Sequence, residues 1–431
     1  MPGDGWHILT EVCTRFPLRS VGSPGERDHA RFVAGLLKTA GLEAVRTEPV
    51  PCLGFDVAPC ELRLGGPEGE AFEALPVVFS GSTPPAGITA PLAYADDVDF
   101  VDFASPHLRG KALLLFGWFG DFSTTQYYRA AVAGGLAAVI VARDSEHAVS
   151  YGLPPAAAGC GNLPVVSVSH ATGTAILRCG VAQAFLRVRQ TLGDTTGSNV
   201  VGVLPANRAR LDDRVFLLST HLDAPPVQPA AADNAVGAAM AIEVLRALAG
   251  AERRRDIWFA GYTDEEWGFS GARQFARDHA DIVPRCQCQF YYDGHGTALG
   301  VNRLVVTGTP ALAECLRSVA ADIGHPMKME CRPNTLDPAV LFADGVPAVQ
   351  AERHPQRTWH TQKDVMDDLA PAALRAGIHL YAEALYRLVN APEIPFPREV
   401  DEAAREVSRR RLATWVPRTL AEAAHWQEHL S

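Results

Sequence analysis

The feature that most constrains the fold is a regular alternation of strands and a helix in the second half of the chain. Short apolar segments at 199–204, 215–220 and 257–262 are typical of buried strands, and a helical apolar pattern at 234–248 separates the last two. Parallel strands need a crossover of this length, so the pattern predicts an α/β fold with a mostly parallel sheet sandwiched by helices. Further strands are expected at 287–292, 304–307 and 346–351, and further helices at 311–323 and 372–389.

A change in amino-acid composition indicates an inserted domain on the N-terminal side of this region. From about residue 76 the chain is rich in Pro, Gly and Ala, and its short apolar stretches indicate strands. Turn-rich sequences lie near both ends of the insertion. We therefore predict a discontinuous main domain at 1–75 and 192–395, an inserted mainly β domain at 76–191 and a helical C-terminal extension at 396–431.

Composition excludes some classes of partner. The 39 Lys and Arg residues against 49 Asp and Glu residues give a formal net charge of −10, which disfavours nucleic acid and anionic membrane surfaces. The N-terminal residues lack the basic start and apolar run of a signal peptide, and the apolar stretch at 130–142 is too short to span a bilayer. We expect a cytoplasmic protein. The sequence does not fix the oligomeric state, and a homo-oligomer is compatible with it.

Acidic and histidine side chains follow the predicted strands where they end. His221 and Asp223 come directly after one strand, and Asp233 lies in a turn of small residues that opens the following helix. Glu265 and Glu266 follow the next strand. Adjacent glutamates suit a metal hydrolase, in which one carboxylate binds the cation and the other accepts a proton from water.

Two more residues extend this pattern. Asp293 ends a strand in a Gly-rich turn, and His360 follows a later strand and its loop. Each residue alone has an ordinary explanation, such as a helix cap or an exposed loop histidine. Such residues at five places in one chain are better explained by one site, since the carboxyl ends of parallel strands meet at one edge. Two histidines and three carboxylates without cysteine match a two-zinc hydrolytic centre with a shared carboxylate.

The motifs that contain these residues resemble those of the co-catalytic di-zinc aminopeptidases, a family that also includes glutamate carboxypeptidase and transferrin-receptor-like proteins. The segment at 19–23 is similar to the N-terminal signature of that family, so the resemblance covers about residues 5–389. Val236 departs from the small hydroxyl residue often found at its position. The motifs, in the order of the family, are His221-x-Asp223, Ala232-Asp233-Asn234-Ala235-x-Gly237, Glu265-Glu266-x-Gly268-x-x-Gly271-x-x-x-Phe275, Asp293 and His360-Thr361-x-x-Asp364.

The resemblance implies a zinc-exopeptidase fold, a peptide substrate and two Zn²⁺ ions. It implies that His221, Asp233 and Asp293 bind one ion. It further implies that Glu266 and His360 bind the other ion together with Asp233, which bridges the two.

The resemblance also implies the catalytic roles. Glu265 would be the general base that activates a metal-bridging water, and Asp223 would orient His221. The peptide bond between Asp233 and Asn234 is expected to be cis, as it usually is in the family.

The inserted segment is similar to a protease-associated domain. The similarity rests on Gly110-Lys111-Ala112 before one strand, Ala130-x-x-x-Gly134 in a helix and Leu163-Pro164-Val165 before a later strand. In relatives such domains usually act as lids or substrate-access modules.

The expected activity is removal of N-terminal residues from peptides. The acidic motifs suit a free α-amine, whereas a C-terminal carboxylate would need a basic cluster, for which Arg273, Arg357 and Lys363 are the nearest candidates. A glutaminyl cyclase with one zinc ion and a carboxypeptidase or dipeptidase remain alternatives on the same fold. A non-catalytic receptor-like protein is disfavoured because the ligands and Glu265 are all present. The sequence leaves open the first substrate pocket and the roles of three further histidines, His295, His325 and His354.

Overall fold

The computed structural model describes residues 3, 5–117, 124–325, 327–413 and 421–422. Within these residues the chain divides into two compact units. The first comprises Met1–Pro51, Thr196–Trp359 and Asp364–Thr414, and the second comprises Cys52–Thr195 with the short segment His360–Lys363.

Sixteen strands occur in the described residues. They are β1 Glu43–Val57, β2 Glu61–Leu64, β3 Glu70–Phe72, β4 Leu75–Pro76, β5 Ile88–Ala95, β6 Ala112–Phe116, β7 Ala138–Ala142, β8 Val165–Val168, β9 Gln183–Arg187, β10 Gln190–Leu204, β11 Val215–His221, β12 Asp256–Tyr262, β13 Cys286–Tyr292, β14 Val301–Thr307, β15 Lys328–Cys331 and β16 Ala348–His354.

Ten α-helices occur in the same residues. They are α1 Trp6–Arg15, α2 Pro24–Thr39, α3 Thr124–Ala133, α4 His170–Arg178, α5 Val236–Ala249, α6 Ser270–Asp278, α7 Pro310–Asp322, α8 Pro338–Ala343, α9 Pro371–Asn390 and α10 Glu402–Ala413.

An eight-stranded sheet with the order β1-β10-β12-β11-β13-β16-β14-β15 forms the centre of the first unit. The four central strands, β12, β11, β13 and β16, run parallel to one another. β10 and β14 join this core as antiparallel neighbours. Every residue of β11 and β13 is buried, as expected for strands covered on both faces. The predicted α/β fold with a mostly parallel sheet is confirmed.

Two apolar clusters cover the faces of this sheet. One cluster joins the sheet to α1, α2, α5, α7 and α9 and includes Leu9, Ile242 and Leu385. The other joins it to α6 and α8 and includes Phe275 and Leu341. The helices therefore hold the strands from both sides, which fixes where the strand ends lie.

The three helices predicted at 234–248, 311–323 and 372–389 correspond to α5, α7 and α9. α7 and α9 begin and end within one residue of their predicted limits. α5 begins at Val236, two residues later than expected, because Asp233 and Asn234 have non-helical backbone angles. α6 begins at Ser270, and Phe269 lies directly before it with a φ of 53°.

The second unit contains another eight-stranded sheet, with the order β3-β2-β9-β5-β6-β7-β8-β4. Strands β5 to β8 run parallel, and β2, β3 and β9 extend the sheet as antiparallel neighbours. The compact unit begins at Cys52, and it includes β2, which pairs with the sequence-distant strand β9. The bounds 76–191 of the inserted domain stay a prediction.

The predicted C-terminal helical extension is described only in part. α10 covers Glu402–Ala413 and carries charged pairs such as Arg409 with Glu402. Residues 414–420 and 423–431 lie outside the described residues. Among the helices that are described, none has the length and apolar character needed to cross a membrane.

A buried glutamate in α2 gives the first unit a testable pH dependence. Oε1 of Glu26 accepts hydrogen bonds from Ser198 N and Thr263 Oγ1, both at 2.8 Å. Burial raises the pKa of Glu26 to about 7, although these two hydrogen bonds lower it. Because the folded state holds the proton more tightly than the unfolded chain, Glu26 stabilises the fold at acidic pH and this contribution is lost as pH rises from about 4.5 to 7.

We expect Glu26→Gln to reduce the pH dependence of stability. The free energy of unfolding of the wild type, relative to the variant, should fall by up to about 3 kcal/mol between pH 4.5 and 7. Urea unfolding at several pH values, followed by circular dichroism, measures this difference. Glu314→Gln on α7, where the side chain is exposed, is the control and should leave the profile unchanged. Parallel profiles for wild type and Glu26→Gln would contradict the prediction.

Candidate metal centre

Two neighbouring parallel strands bring the first histidine and an aspartate together. His221 is the last residue of β11, and Asp293 follows the last residue of β13. The strands pair in register, with Thr220 opposite Tyr292. His221 Nε2 consequently lies 3.4 Å from Asp293 Oδ1, and both side chains are buried.

The turn before α5 supplies the third member of this group. Oδ1 of Asp233 lies 3.1 Å from His221 Nε2. The peptide bond from Asp233 to Asn234 is cis, so that expectation is confirmed. The Asn234 amide holds the turn on the sheet by donating to Tyr292 O at 2.9 Å and to Thr220 Oγ1 at 3.0 Å. A Cβ atom on Gly237 would lie 2.4 Å from Thr220 Oγ1, so only glycine fits there.

The described residues contain two groups of three side chains whose potential ligand atoms lie within 4.8 Å of one another. One group is His221, Asp233 and Asp293, and the other is Asp233, Glu266 and His360. Asp233 belongs to both groups. These are the two ligand sets that the family resemblance implies, with the same shared carboxylate.

The ring orientation of His360 is fixed through one nitrogen. His360 Nδ1 lies 2.8 Å from the carbonyl oxygen of Ser150, which can only accept a hydrogen bond. Nδ1 therefore carries the proton in the neutral ring, and Nε2 carries the lone pair.

Asp223 connects the histidine of the first group to the glutamate pair. Its Oδ1 lies 3.5 Å from His221 Nδ1 and accepts a hydrogen bond from Glu265 N at 3.2 Å. Its Oδ2 faces Glu266 N at 3.4 Å. The carboxylate is fully buried. One side chain thus fixes both the imidazole ring and the turn that carries Glu265 and Glu266.

The site strongly favours positive charge. Burial disfavours a charged imidazole, but the carboxylates of Asp293, Asp223 and Asp233 outweigh burial and raise the pKa of His221 well above its usual value. Burial raises the pKa of Asp293 to about 6, with His221 acting in the opposite direction. A group of buried carboxylates at this spacing needs a compensating cation.

Glu265 has the surroundings of a proton acceptor. Its carboxyl group is buried, and Oε1 has no hydrogen-bond partner among the residues that the structure describes. Burial raises the pKa of Glu265 well above its usual value, while His221 lowers it and Asp293 raises it further. A carboxylate with a raised pKa and an unsatisfied oxygen can take a proton from water at neutral pH.

Sequence reasoning missed one buried acid near this centre. Asp337 is fully buried and its Oδ2 accepts a hydrogen bond from Tyr291 OH at 3.1 Å. Burial raises the pKa of Asp337 well above its usual value; His221 acts against this effect and Asp223 adds to it. In the sequence Asp337 precedes Pro338, a pair that is typical of a helix start. The local pattern therefore indicates a helix cap and not a residue of the site.

The remaining histidines and the basic candidates lie outside both ligand groups. His295 is buried, its Nδ1 accepts from Gly296 N at 2.8 Å, and burial lowers its pKa to about 3. His325 packs against the ring of His379, and His354 lies 3.3 Å from Glu352. Of the basic candidates, Arg273 donates to Leu412 O, and Arg357 and Lys363 are exposed.

The donor set fits zinc. Zn²⁺ prefers imidazole nitrogen and carboxylate oxygen at four or five positions, and three protein ligands per ion leave room for water or substrate. Both groups provide three such atoms without cysteine. In each histidine an acceptor lies next to Nδ1, Asp223 for His221 and the Ser150 carbonyl group for His360, and this contact orients Nε2. The residues present therefore fit two ions that share Asp233.

Histidine and carboxylate side chains meet at the carboxyl ends of the strands of a mostly parallel sheet, an arrangement typical of a metallohydrolase. Residues 199–385 match the model of Peptidase family M28. This segment contains both ligand groups, Asp223 and Glu265.

Individual relatives are similar to this chain over more residues than the family model matches. Aminopeptidase YwaD of Bacillus subtilis is 25% identical over 332 residues, which is 73% of this chain and 71% of that protein. Human carboxypeptidase Q is 26% identical over 258 residues, 56% of this chain and 54% of its own length. The structure of BSAP, a zinc aminopeptidase from Bacillus subtilis, superimposes with a TM-score of 0.72 at 20% identity and covers 92% of this chain and 98% of that one. At this identity the structural likeness establishes the fold.

We expect Asp223→Asn to weaken zinc binding by about 10- to 100-fold, because the amide cannot accept from both glutamate N–H groups and hold the imidazole as well. Competition with a chromophoric chelator measures the dissociation constant. Asp256→Asn is the matched control: Asp256 also accepts a backbone hydrogen bond, from Ala206 N at 2.8 Å, but lies at the opposite end of β12. Equal zinc affinity in wild type and Asp223→Asn would count against the orienting role.

Proposed function

We propose that the protein is a zinc-dependent metallo-aminopeptidase that hydrolyses N-terminal residues from peptides. The observation that carries this proposal is that Asp233 belongs to both groups of three potential ligands, while Glu265, the chain neighbour of Glu266, belongs to neither. A single metal site would not need a carboxylate common to both groups. A bridging carboxylate and a separate base are the parts that a two-metal hydrolase requires.

In the proposed mechanism each residue has one task. His221, Asp233 and Asp293 would hold one zinc ion, and Asp233, Glu266 and His360 would hold the other. Zinc bound there would polarise the scissile carbonyl group and lower the pKa of water.

Glu265 is the proposed general base. Its unpartnered Oε1 accepts a proton from the attacking water, and the carboxyl group then passes this proton to the leaving amine. Asp223 keeps the ring of His221 and the turn of Glu265 in place throughout the reaction.

The preference for the N-terminus follows from charge. The acidic surroundings of the ligand groups suit a substrate amine, which titrates near pH 8 in free peptides. A C-terminal carboxylate would require a basic partner, and Arg273 is already engaged by the chain itself. The name of Aminopeptidase YwaD agrees with this direction.

A second candidate is a carboxypeptidase or dipeptidase. Human carboxypeptidase Q is 26% identical to this chain and Aminopeptidase YwaD is 25% identical, so sequence similarity supports both candidates. Both candidates share the zinc ligands and the base, so they differ only in which end of the peptide is recognised. We further propose that the segment at 76–191 is a protease-associated domain and that the protein acts in the cytoplasm.

Substitutions of the two adjacent glutamates should separate the base from the ligand. Wild-type protein loaded with zinc should contain two ions per chain. Glu265→Gln should retain both ions and lose activity by about 10²- to 10⁴-fold, the usual effect of losing a general base. Glu266→Gln should lose one ion. Elemental analysis and peptide hydrolysis on the same samples measure both properties.

Two outcomes would refute this division of roles. One is loss of metal in both variants alike, and the other is an unchanged rate in Glu265→Gln. A wild-type protein that is fully active with a single zinc ion would instead favour the glutaminyl cyclase alternative. Glu314→Gln is the control, because it removes the same charge from a side chain that is exposed.

A matched set of peptides should determine the end that is cleaved. A tetrapeptide with free ends and its C-amidated form should both lose their N-terminal residue, and the N-acetylated form should remain intact, because the blocked amine cannot be recognised. Mass spectrometry of the products measures the cleavage. Cleavage of the acetylated peptide alone would reverse the assignment to a carboxypeptidase, and loss of ammonia from a peptide with N-terminal glutamine would identify a cyclase.

A further inference from the structure

One buried carboxylate in the first unit has no place in the proposed ligand sets. Asp364 is fully buried and accepts two backbone hydrogen bonds from the turn that carries Asp233. Ala232 N donates to its Oδ1 at 2.8 Å, and Asp233 N donates to its Oδ2 at 3.1 Å. The main-chain oxygen of Asp364 also accepts from Ala231 N at 3.2 Å. Three consecutive N–H groups of the turn thus donate hydrogen bonds to Asp364.

The backbone of the turn explains why these N–H groups need an outside acceptor. Asp233 has φ −127° and ψ 88°, and Asn234 has φ −137° and ψ 43°, so neither residue continues a helix. The turn is buried, and an unpaired N–H group in such surroundings is costly. A carboxylate with two oxygens can satisfy two donors at once, and its charge makes both bonds strong.

A buried arginine holds the other side of the same loop. The guanidinium of Arg19 donates to Pro229 O at 2.7 Å and to Ala230 O at 2.9 Å. It also donates to Phe16 O at 3.0 Å. The carbonyl groups of 229–230 and the N–H groups of 232–233 are therefore held by side chains of opposite charge.

We propose that Asp364 and Arg19 are positioning residues that fix Asp233 where its carboxylate can serve both ligand groups. This inference rests on the proposed function, since it takes Asp233 to be a zinc ligand. The N–H groups of 231–233 are bonded to Asp364 and not to acceptors within the turn, so the location of Asp233 depends on Asp364 and Arg19 in addition to the Asn234 amide. Their loss should therefore change the metal centre itself and not only the stability of the fold.

The test compares Asp364→Asn and Arg19→Lys with the control Asp212→Asn. Asparagine keeps the size of the side chain but offers one acceptor where two are needed, and lysine keeps the charge of Arg19 but loses its planar fork. Asp212 is bonded by Arg255 and by Arg214, well outside the ligand groups. The measured quantities are zinc affinity by chelator competition, the visible spectrum of the Co²⁺-substituted protein and the midpoint of urea unfolding.

Asp364→Asn should bind zinc about 10- to 100-fold more weakly and show a changed Co²⁺ spectrum. Arg19→Lys should shift both properties in the same direction. Asp212→Asn should lower the unfolding midpoint and leave both properties unchanged. The inference is overturned if Asp364→Asn lowers the unfolding midpoint but keeps zinc affinity within about twofold of the wild type. If Asp364→Asn does not fold, the same result for Arg19→Lys overturns it.

Asp233→Asn separates this inference from the proposed function. If Asp233→Asn binds two zinc ions like the wild type, Asp233 is not a ligand and the proposed two-zinc centre fails. If Asp233→Asn loses zinc while Asp364→Asn binds it normally, the two-zinc centre stands and only the positioning role is wrong.

Discussion

The parallel pairing of β11 with β12 and β13 is the constraint on which the rest of the site depends. Parallel strands in register end at one edge of the sheet, so the residues that follow them meet there without any further arrangement. His221 and Asp293 lie within 3.4 Å for this reason alone. Helices on both faces hold these strands in place, and the positions of His221 and Asp293 are therefore fixed by the core beneath them.

The same arrangement has an electrostatic cost. It buries several carboxylates close together, which raises the pKa of Glu265 and Asp293 and would repel the side chains from one another. The fold opposes this repulsion with backbone and side-chain hydrogen bonds, as at Asp223, whose oxygens accept from Glu265 N and face Glu266 N. Cations at the shared carboxylate Asp233 would remove the remaining cost, which links the metal centre to the stability of its own scaffold.

Much of this protein could be predicted from local patterns. The strands that carry the site and the helices α7 and α9 follow apolar periodicity, which is a property of neighbouring residues. The ligand candidates could be found because most of them follow the end of a strand, while Asp233 lies in a small-residue turn that opens a helix. Contacts distant in sequence leave no such pattern: α5 begins later than expected because Asn234 is bound to Tyr292 and Thr220, and β2 joins the second unit through its pairing with β9.

The sequence by itself determined the α/β class, the order of the motifs and the residue types able to bind zinc, since all of these depend on composition and spacing. Only the tertiary structure decided how close these side chains lie to one another, which nitrogen of His360 carries the proton, and what Asp364 and the buried Asp337 contact. Asp337 illustrates the difference. In the sequence it looks like an ordinary helix-start residue, because a buried hydrogen-bond partner from a distant segment leaves no local pattern.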